Sequence, residues 1–103
     1  IEARDSVTDP ARLAELAASA DEWVRWGVAG NRRTSVEVLT QLAEDSTSRV
    51  RQHVAGNSST SVEVLTQLGD DSDYVVRKAV AGNPHTPVEV LARLADDPEF
   101  RVQ

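Results

Sequence analysis

The sequence predicts an all-α protein made of two short helices per 26-residue unit, with about 3.5 units in 103 residues. Two observations predict this class. The same residue types return every 26 residues without an insertion. Each unit also contains two helix-start signals, a helix stop and apolar residues at helical spacing.

The repeat is visible in several columns of equivalent positions. They include Val24, Val50, Val76 and Val102; Val28, Val54 and Val80; Thr8, Thr34, Thr60 and Thr86; and Leu13, Leu39, Leu65 and Leu91. A unit of this size cannot bury its apolar stripe alone, so we expect neighbouring units to stack. The units run over 8–33, 34–59, 60–85 and 86–103, the last being partial, within a single domain spanning 1–103.

The first helix of each unit is predicted to begin at its threonine. Three units have the pattern Thr-x-x-Glu of a capping box, in which each side chain bonds a free backbone N–H. These pairs are Thr34 with Glu37, Thr60 with Glu63, and Thr86 with Glu89. Thr8 lacks the glutamate, and Pro87 suits the first helical position. We expect Val62, Leu65 and Leu68 to share one stripe, with Val64 reaching Leu68.

The second helix of each unit is predicted to begin at an aspartate. Asp97 precedes Pro98, as an N-cap precedes a first helical residue, and Asp45 and Asp71 occupy the same register. Valines four residues apart, such as Val50 and Val54, form its buried edge. The helix is predicted to end at a left-handed glycine. These glycines are Gly30, Gly56 and Gly82, each followed by an asparagine that turns the chain.

The two ends of the sequence do not complete a unit. The chain starts at Ile1 and stops at Val102-Gln103, within the second helix of the fourth unit. We therefore expect a fragment of a longer protein, in which Ile1 to Val7 is a cap or a linker. The apolar edge at Val102 predicts possible self-stacking with another copy through this open end.

Residues 76–98 carry a family resemblance. Their pattern, Val-Arg-x-x-Val-Ala-x-Asn-Pro-x-Thr-Pro followed by Leu-x-x-Leu-Ala-x-Asp, resembles the leucine-rich repeat variant family. The resemblance implies a right-handed helical solenoid in which an α-helix alternates with a shorter, sometimes 3₁₀, helix. The period of 26 is longer than the family unit we expect, which should lengthen the second helix. HEAT-like repeats are the nearest alternative. The iron–sulfur segment of some members cannot be carried over, because the sequence has no cysteine.

Composition excludes several function classes. The absence of cysteine rules out disulfides and thiolate metal sites, and no apolar run is long enough to span a membrane. With no visible secretory signal, we expect a cytoplasmic location. The net charge of −6 argues against general affinity for phosphate backbones.

Charged columns have a structural interpretation that we prefer to a catalytic or binding one. Arg25, Arg51 and Arg77 could bind phosphate, but pairing with Asp45, Asp71 and Asp97 is the ordinary outcome. The acidic pairs could bind a divalent cation, but capping and solvation explain them. They are Glu44-Asp45, Asp70-Asp71 and Asp96-Asp97. His53 and His85 lack metal-ligand spacing, and we predict no catalytic residue, metal or cofactor.

Positions that differ between units are the candidates for binding, because the constant columns build the core. We select Trp23, Trp26, Arg32, Arg33, Gln52 and Lys78. Tryptophan and arginine are enriched at binding hot spots, although Trp23 could equally cover the end of the core. The predicted function is a non-enzymatic scaffold that binds a protein or peptide. The alternatives are nucleic-acid binding through the arginine column with Arg32 and Arg33, or a regulatory or spacer segment of a larger enzyme.

Overall fold

The computed structural model describes the backbone of residues 9–101 and the side chains of residues 9–100. This range contains eight α-helices and no strand, which confirms the all-α class. The helices are α1 Pro10–Leu16, α2 Glu22–Ala29, α3 Val36–Leu42, α4 Ser48–Gly56, α5 Val62–Leu68, α6 Tyr74–Gly82, α7 Val88–Ala95 and α8 Pro98–Arg101. The predictions for Ile1 to Val7, for the Thr8 cap and for the edge at Val102 lie outside the described residues.

Neighbouring units meet mainly through their second helices. Helix α4 packs on α2 on one side and on α6 on the other, and each of these contacts is more extensive than any contact with a first helix. Helices α3, α5 and α7 each contact the second helix that precedes them. The structure measures 40 × 22 × 19 Å, so the arrangement of helices is elongated along one direction. The second helices therefore form the row against which the first helices pack.

The repeated leucine and valine columns form the core. Leu13, Leu39 and Leu65 are fully buried, and so are Val28, Val50, Val54, Val76 and Val80. Two expectations fail. Val62 is 47% exposed, because it begins α5 and points away from Val64, which is buried in its place. Leu91 is 38% exposed, unlike the three equivalent leucines.

The threonines are not the N-caps of the first helices, so the predicted capping boxes are wrong. Helices α3 and α5 are capped by Ser35 and Ser61, whose side chains accept hydrogen bonds from backbone N–H groups in the first turn. Helix α7 has Pro87 at the N-cap and not at the first helical position. The threonine hydroxyls donate to backbone carbonyl oxygens in the last turn of the preceding helix. These bonds are Thr34 to Val28 at 2.7 Å, Thr60 to Val54 at 2.6 Å and Thr86 to Val80 at 2.6 Å.

The second helices begin two residues later than predicted. Their N-caps are Asp21, Thr47 and Asp73. Asp45 and Asp71 lie in the turn before the cap, where each carboxylate accepts a 2.9 Å hydrogen bond from the backbone N–H two residues on. These two carboxylates also bind an arginine of the preceding unit. Asp97 does cap α8, since its side chain accepts from the N–H of Glu99 at 2.9 Å.

The second helices end without a left-handed residue. No residue in the described range has a positive φ. Gly30 is the C-cap of α2 with φ −87°, and Gly56 and Gly82 are the last residues of α4 and α6. Asn57 and Asn83 follow in extended conformation. Helices α2, α4 and α6 are α-helices of 8, 9 and 9 residues, against 7 residues in α3 and α5. In these units the second helix is therefore the longer one, as expected from the 26-residue period, and not the shorter, sometimes 3₁₀, helix that the resemblance implied.

Candidate functional site: a groove between the second helices of two units

The arginine column is bound within the protein, as the sequence predicted. The Nε atom of each arginine lies close to an aspartate Oδ2 of the next unit. The distances are 2.7 Å for Arg25 and Asp45, 2.8 Å for Arg51 and Asp71, and 2.9 Å for Arg77 and Asp97. Each Nη1 atom also donates to a backbone carbonyl, as from Arg51 to Asp45 at 2.7 Å. These guanidinium groups are therefore already engaged and cannot grip an external phosphate without breaking this network.

The ion pairs shift the pKa values of their members towards the charged forms. Burial acts to raise the pKa of Asp45, but hydrogen bonds from Arg25 and Thr47 hold it below its usual range. The hydrogen bond from Arg51 to Asp71 raises the pKa of the Arg51 guanidinium. Both Arg25 and Asp45 therefore stay charged near neutral pH. The acidic pairs were considered as cation sites, but in each pair the charge of the second carboxylate is already neutralised by an arginine.

A second ladder, which sequence analysis missed, runs through the asparagines. The Nδ2 atom of Asn57 donates to the carbonyl oxygens of Ala29 at 2.8 Å and Asn31 at 3.0 Å. Asn83 repeats this contact one unit later, with Ala55 at 2.8 Å and Asn57 at 3.1 Å. Both amides are buried, so this column joins units and does not merely turn the chain. Its recurrence in every unit was the available signal, because a turn alone tolerates several residue types.

An open groove of about 600 Å³ lies where α2 and α4 end. Its lining residues come from the last turns of these helices and from the loops that follow them. They are Trp26, Gly27, Gly30, Asn31, Arg32, His53, Gly56, Asn57 and Ser58. The groove therefore lies between the first and second units, and five of its nine lining residues stand in columns that differ between units.

Trp26 and His53 pack against each other in the groove. Their ring centroids are 4.3 Å apart, with the planes tilted by 44°. Gly30 permits this contact, because a Cβ atom there would lie 2.7 Å from Nδ1 of His53. Burial lowers the pKa of His53, which favours the neutral imidazole. The groove thus has an aromatic wall that carries little charge at neutral pH.

Trp23 extends the aromatic surface beyond the groove. Its ring meets Trp26 edge-on, with centroids 5.7 Å apart and planes at 76°. The guanidinium carbon of Arg49 lies 5.1 Å from the Trp23 centroid, and its Nη2 lies 3.7 Å from Oε2 of Glu22. Trp23 remains 56% exposed. It is accessible to a partner and contacts Trp26, although it does not line the groove.

The structure brings only part of the predicted set of binding residues together. Trp26 and Arg32 line the groove, whereas Arg33, Gln52 and Lys78 do not. Gln52 and Lys78 occupy the Trp26 column one and two units later, so they lie farther along the row of second helices. His53 was not predicted as a binding residue. The available signal was an aromatic ring at a position where the other units have Gly27 and Ala79.

Two classes of site have no support in the described part of the chain. Residues 9–101 contain no group of three or more histidine, aspartate or glutamate residues placed to hold a metal ion. None of the helices in this range is both long and apolar enough to cross a membrane.

The fold and the two ladders define a helical-repeat protein. Residues 49–73 and 74–99 each match the leucine rich repeat variant family, and the two matches are adjacent. Residues 49–99 are therefore leucine rich repeat variant repeats, which confirms the resemblance carried by residues 76–98. The two matched ranges contain 25 and 26 residues and follow each other without a gap, so each covers about one 26-residue period. Comparison with curated proteins and with solved structures gives no match.

Proposed function

We propose that the chain is a non-enzymatic scaffold module that binds a peptide or protein segment, with its units arranged as a right-handed solenoid. The observation that carries this proposal is the groove at the ends of α2 and α4. It is built from side chains that vary between otherwise similar units, chiefly Trp26, Arg32 and His53. In a repeat protein such positions can specify a ligand without disturbing the core.

Binding fits the groove better than catalysis because most of the nearby hydroxyl groups serve the backbone, and the hydroxyl of Ser58 on the lining is not hydrogen-bonded to His53 among the described residues. The hydroxyls of Thr34 and Thr60 donate to helix carbonyls, and Ser59 Oγ donates to the carbonyl oxygen of Arg32 at 2.6 Å. Among the described residues, His53 stacks on Trp26 and makes no hydrogen bond to any of these hydroxyl groups. A nucleophile needs a base within hydrogen-bond reach, and these groups are used otherwise.

The proposed mechanism is burial of an apolar or aromatic anchor against Trp26. Tryptophan offers a large rigid surface that loses little conformational entropy on binding, and such residues dominate interface energetics. The groove opens between two units whose backbones are held together by the asparagine ladder, so it is largely formed before the ligand arrives. Preorganisation reduces the entropic cost of association.

The alternative of nucleic-acid binding loses its main support from the ion pairs. It relied on the arginine column, and the guanidinium groups of Arg25, Arg51 and Arg77 are bound to aspartates. Any remaining affinity for a phosphate backbone would have to come from the first unit, where Arg32 and Arg33 are exposed. Such binding would weaken steeply as salt rises.

The proposal is tested by selecting ligands from a random peptide display library on the purified chain. Peptides selected on the wild type should lose at least tenfold in affinity for Trp26→Ala. They should bind Thr40→Ala normally, since Thr40 is exposed on α3 and does not line the groove. Circular dichroism checks that both variants remain helical. Failure to select any peptide, or equal affinity for Trp26→Ala, would contradict the proposed function.

A further inference from the structure

We infer that the ligand of the groove is an acidic peptide segment, with an aspartate or glutamate close to an aromatic or aliphatic anchor. This inference rests on the proposed function and specifies the partner of the same site. It follows from the way charge is distributed along the units, from the pairing that leaves certain cations available, and from the differences between successive grooves.

Carboxylates are absent from the segments that form the groove. Residues 24–36 and 46–62 contain no aspartate or glutamate, and neither do residues 74–88. Each segment holds most of a second helix together with the loop that follows it. The acidic residues of the described chain lie instead in or just before the first helices, in the turns that lead into the second helices, and in the first turns of the second helices α2 and α8. A chain with net charge −6 therefore has a locally basic region around the ends of its second helices.

Pairing determines which of the cations in this region remain available. Arg25 and Arg51 bind Asp45 and Asp71, and Arg49 lies beside Glu22 and Trp23. In the part of the chain that the structure describes, no carboxylate pairs with the exposed side chains of Arg32 or Arg33. Arg32 lines the groove directly. Its guanidinium group can bind a carboxylate through two parallel hydrogen bonds.

The apolar half of the ligand is specified by Trp26 and His53. Their packed rings form one wall of the groove that also contains Arg32, and Gly56 on the same lining leaves open space for a side chain. A ligand that satisfies both features places an apolar side chain on the rings and an acidic one at the guanidinium group. Carboxylate-bearing segments without an anchor would gain only the modest attraction of an exposed ion pair.

Comparison between successive units favours a peptide over a nucleic acid. At the next step along the chain, Trp26, Arg32 and His53 are replaced by Gln52, Ser58 and Ala79. The combination of aromatic wall and available cation therefore occurs once in the described range. A phosphate backbone carries charge at regular intervals and would require cations in successive units. A short acidic segment needs only one such groove.

The test uses two peptide display libraries that share a fixed central phenylalanine. One library is randomised around it with aspartate, glutamate, serine and glycine, and the other with lysine, arginine, serine and glycine. We expect the wild-type chain to enrich the acidic library. The selected peptides should lose at least tenfold in affinity for Arg32→Gln and also for Trp26→Ala. They should keep their affinity for Lys78→Gln, which removes one positive charge from an exposed position of α6 outside the groove.

Each other outcome overturns a defined part of the argument. Enrichment of the basic library alone, or affinity that depends on Trp26 but not on Arg32, would refute the acidic ligand and leave the proposed function standing. Absence of any peptide that depends on Trp26 would remove both. A labelled mixed-sequence single-stranded oligonucleotide is measured in parallel, and tighter binding of this probe, lost in Arg32→Gln, would assign the groove to nucleic acid. Arg32→Gln changes an exposed loop side chain, and thermal unfolding verifies that the variant remains folded.

Discussion

The side chain of Arg51 joins two turns of the chain that lie in successive units. Its Nε atom is 2.8 Å from Oδ2 of Asp71, and its Nη1 atom donates a 2.7 Å hydrogen bond to the carbonyl oxygen of Asp45. Asp45 in turn binds Arg25 from the unit before. One arginine per unit therefore fixes the spacing between its own turn and the next, in addition to the buried valines and leucines.

Replacing Arg51 with alanine is predicted to destabilise the protein substantially. The side chain of Asp71 is 9% exposed and would be left as a largely buried charge without its partner. Breaking such a pair costs about 3 kcal/mol in the free energy of unfolding. Arg49→Ala is the matched control, because Arg49 is 53% exposed and lies 3.7 Å from Glu22; its loss should cost at most about 1 kcal/mol. Urea denaturation measures both, and equal losses would show that the ladder contributes little.

The core and the ion pairs were predictable from sequence because the repeat displays them. A column that always holds valine or leucine at helical spacing indicates a buried stripe, and Val50, Val54, Val76 and Val80 are all fully buried. The arginine and aspartate columns recur together, which indicated mutual pairing. Helix starts were harder, since a threonine followed directly by a serine offers two adjacent hydroxyl groups that can each act as a cap.

The groove itself was only half predictable. Trp26 and Arg32 stood out as unusual residue types in their columns, but the contact between Trp26 and His53 depends on how far apart two units stack. That distance is set by side chains such as Asn57, whose amide spans the gap between backbones. Sequence spacing gives positions along the chain and not this separation. Gln52 and Lys78 were predicted as binding residues because they are equivalent to Trp26 in the next two units. The groove instead joins residues at non-equivalent positions of adjacent units, such as Trp26 and His53.

Substitutions of adjacent hydroxyl residues separate the two roles at the start of α5. Thr60→Val should cost about 1 to 2 kcal/mol, because the buried carbonyl oxygen of Val54 loses its 2.6 Å hydrogen bond. Ser61→Ala should cost about 1 kcal/mol through loss of the N-cap. Thermal unfolding measures both. Thr66→Val is the control, since its exposed hydroxyl bonds within α5, and a change within about 0.5 kcal/mol is expected. If Thr60 were the true cap, Ser61→Ala would be neutral.

The glycines of the second helices should respond differently to alanine. At Gly82 a Cβ atom would meet nothing within 4 Å, and the residue ends α6 without a positive φ. Gly82→Ala is therefore expected to stabilise the protein by about 0.4 to 1 kcal/mol, because alanine restricts the unfolded chain. Gly30→Ala places a Cβ atom 2.7 Å from Nδ1 of His53 and must displace that ring. Denaturation curves should give Gly82→Ala a higher free energy of unfolding than the wild type, and Gly30→Ala a lower one than Gly82→Ala.

Tryptophan fluorescence gives an independent reading of the same pair of variants. Displacement of the His53 ring changes the surroundings of Trp26, so the emission spectrum should change in Gly30→Ala and remain that of the wild type in Gly82→Ala. An unchanged spectrum in both would indicate that His53 and Trp26 do not pack as described.

Stability should fall as the pH is lowered from neutrality because of His53. Burial lowers its pKa in the folded state below the ordinary 6.5, whereas the unfolded chain keeps the ordinary value. Above pH 6.5 both states are neutral and His53 adds no pH dependence. Below it the unfolded state takes up the proton first, so the free energy of unfolding decreases until the pH has passed the folded pKa. The carboxyl groups of Asp45 and Asp73, whose pKa values are also lowered, act in a separate range beginning near pH 4.

The pH dependence of His53 is measured by urea denaturation at intervals between pH 8 and pH 5. The wild type should lose stability towards pH 5, and His53→Gln should lose markedly less, because the substituted side chain does not titrate. His85→Gln provides the control: His85 is exposed in the loop after α6, outside the groove, and this variant should follow the wild-type curve. If the stability of His53→Gln changed with pH in the same way as that of the wild type, the imidazole would not be desolvated against Trp26. The description of His53 and Trp26 as an aromatic wall of the groove would then be wrong.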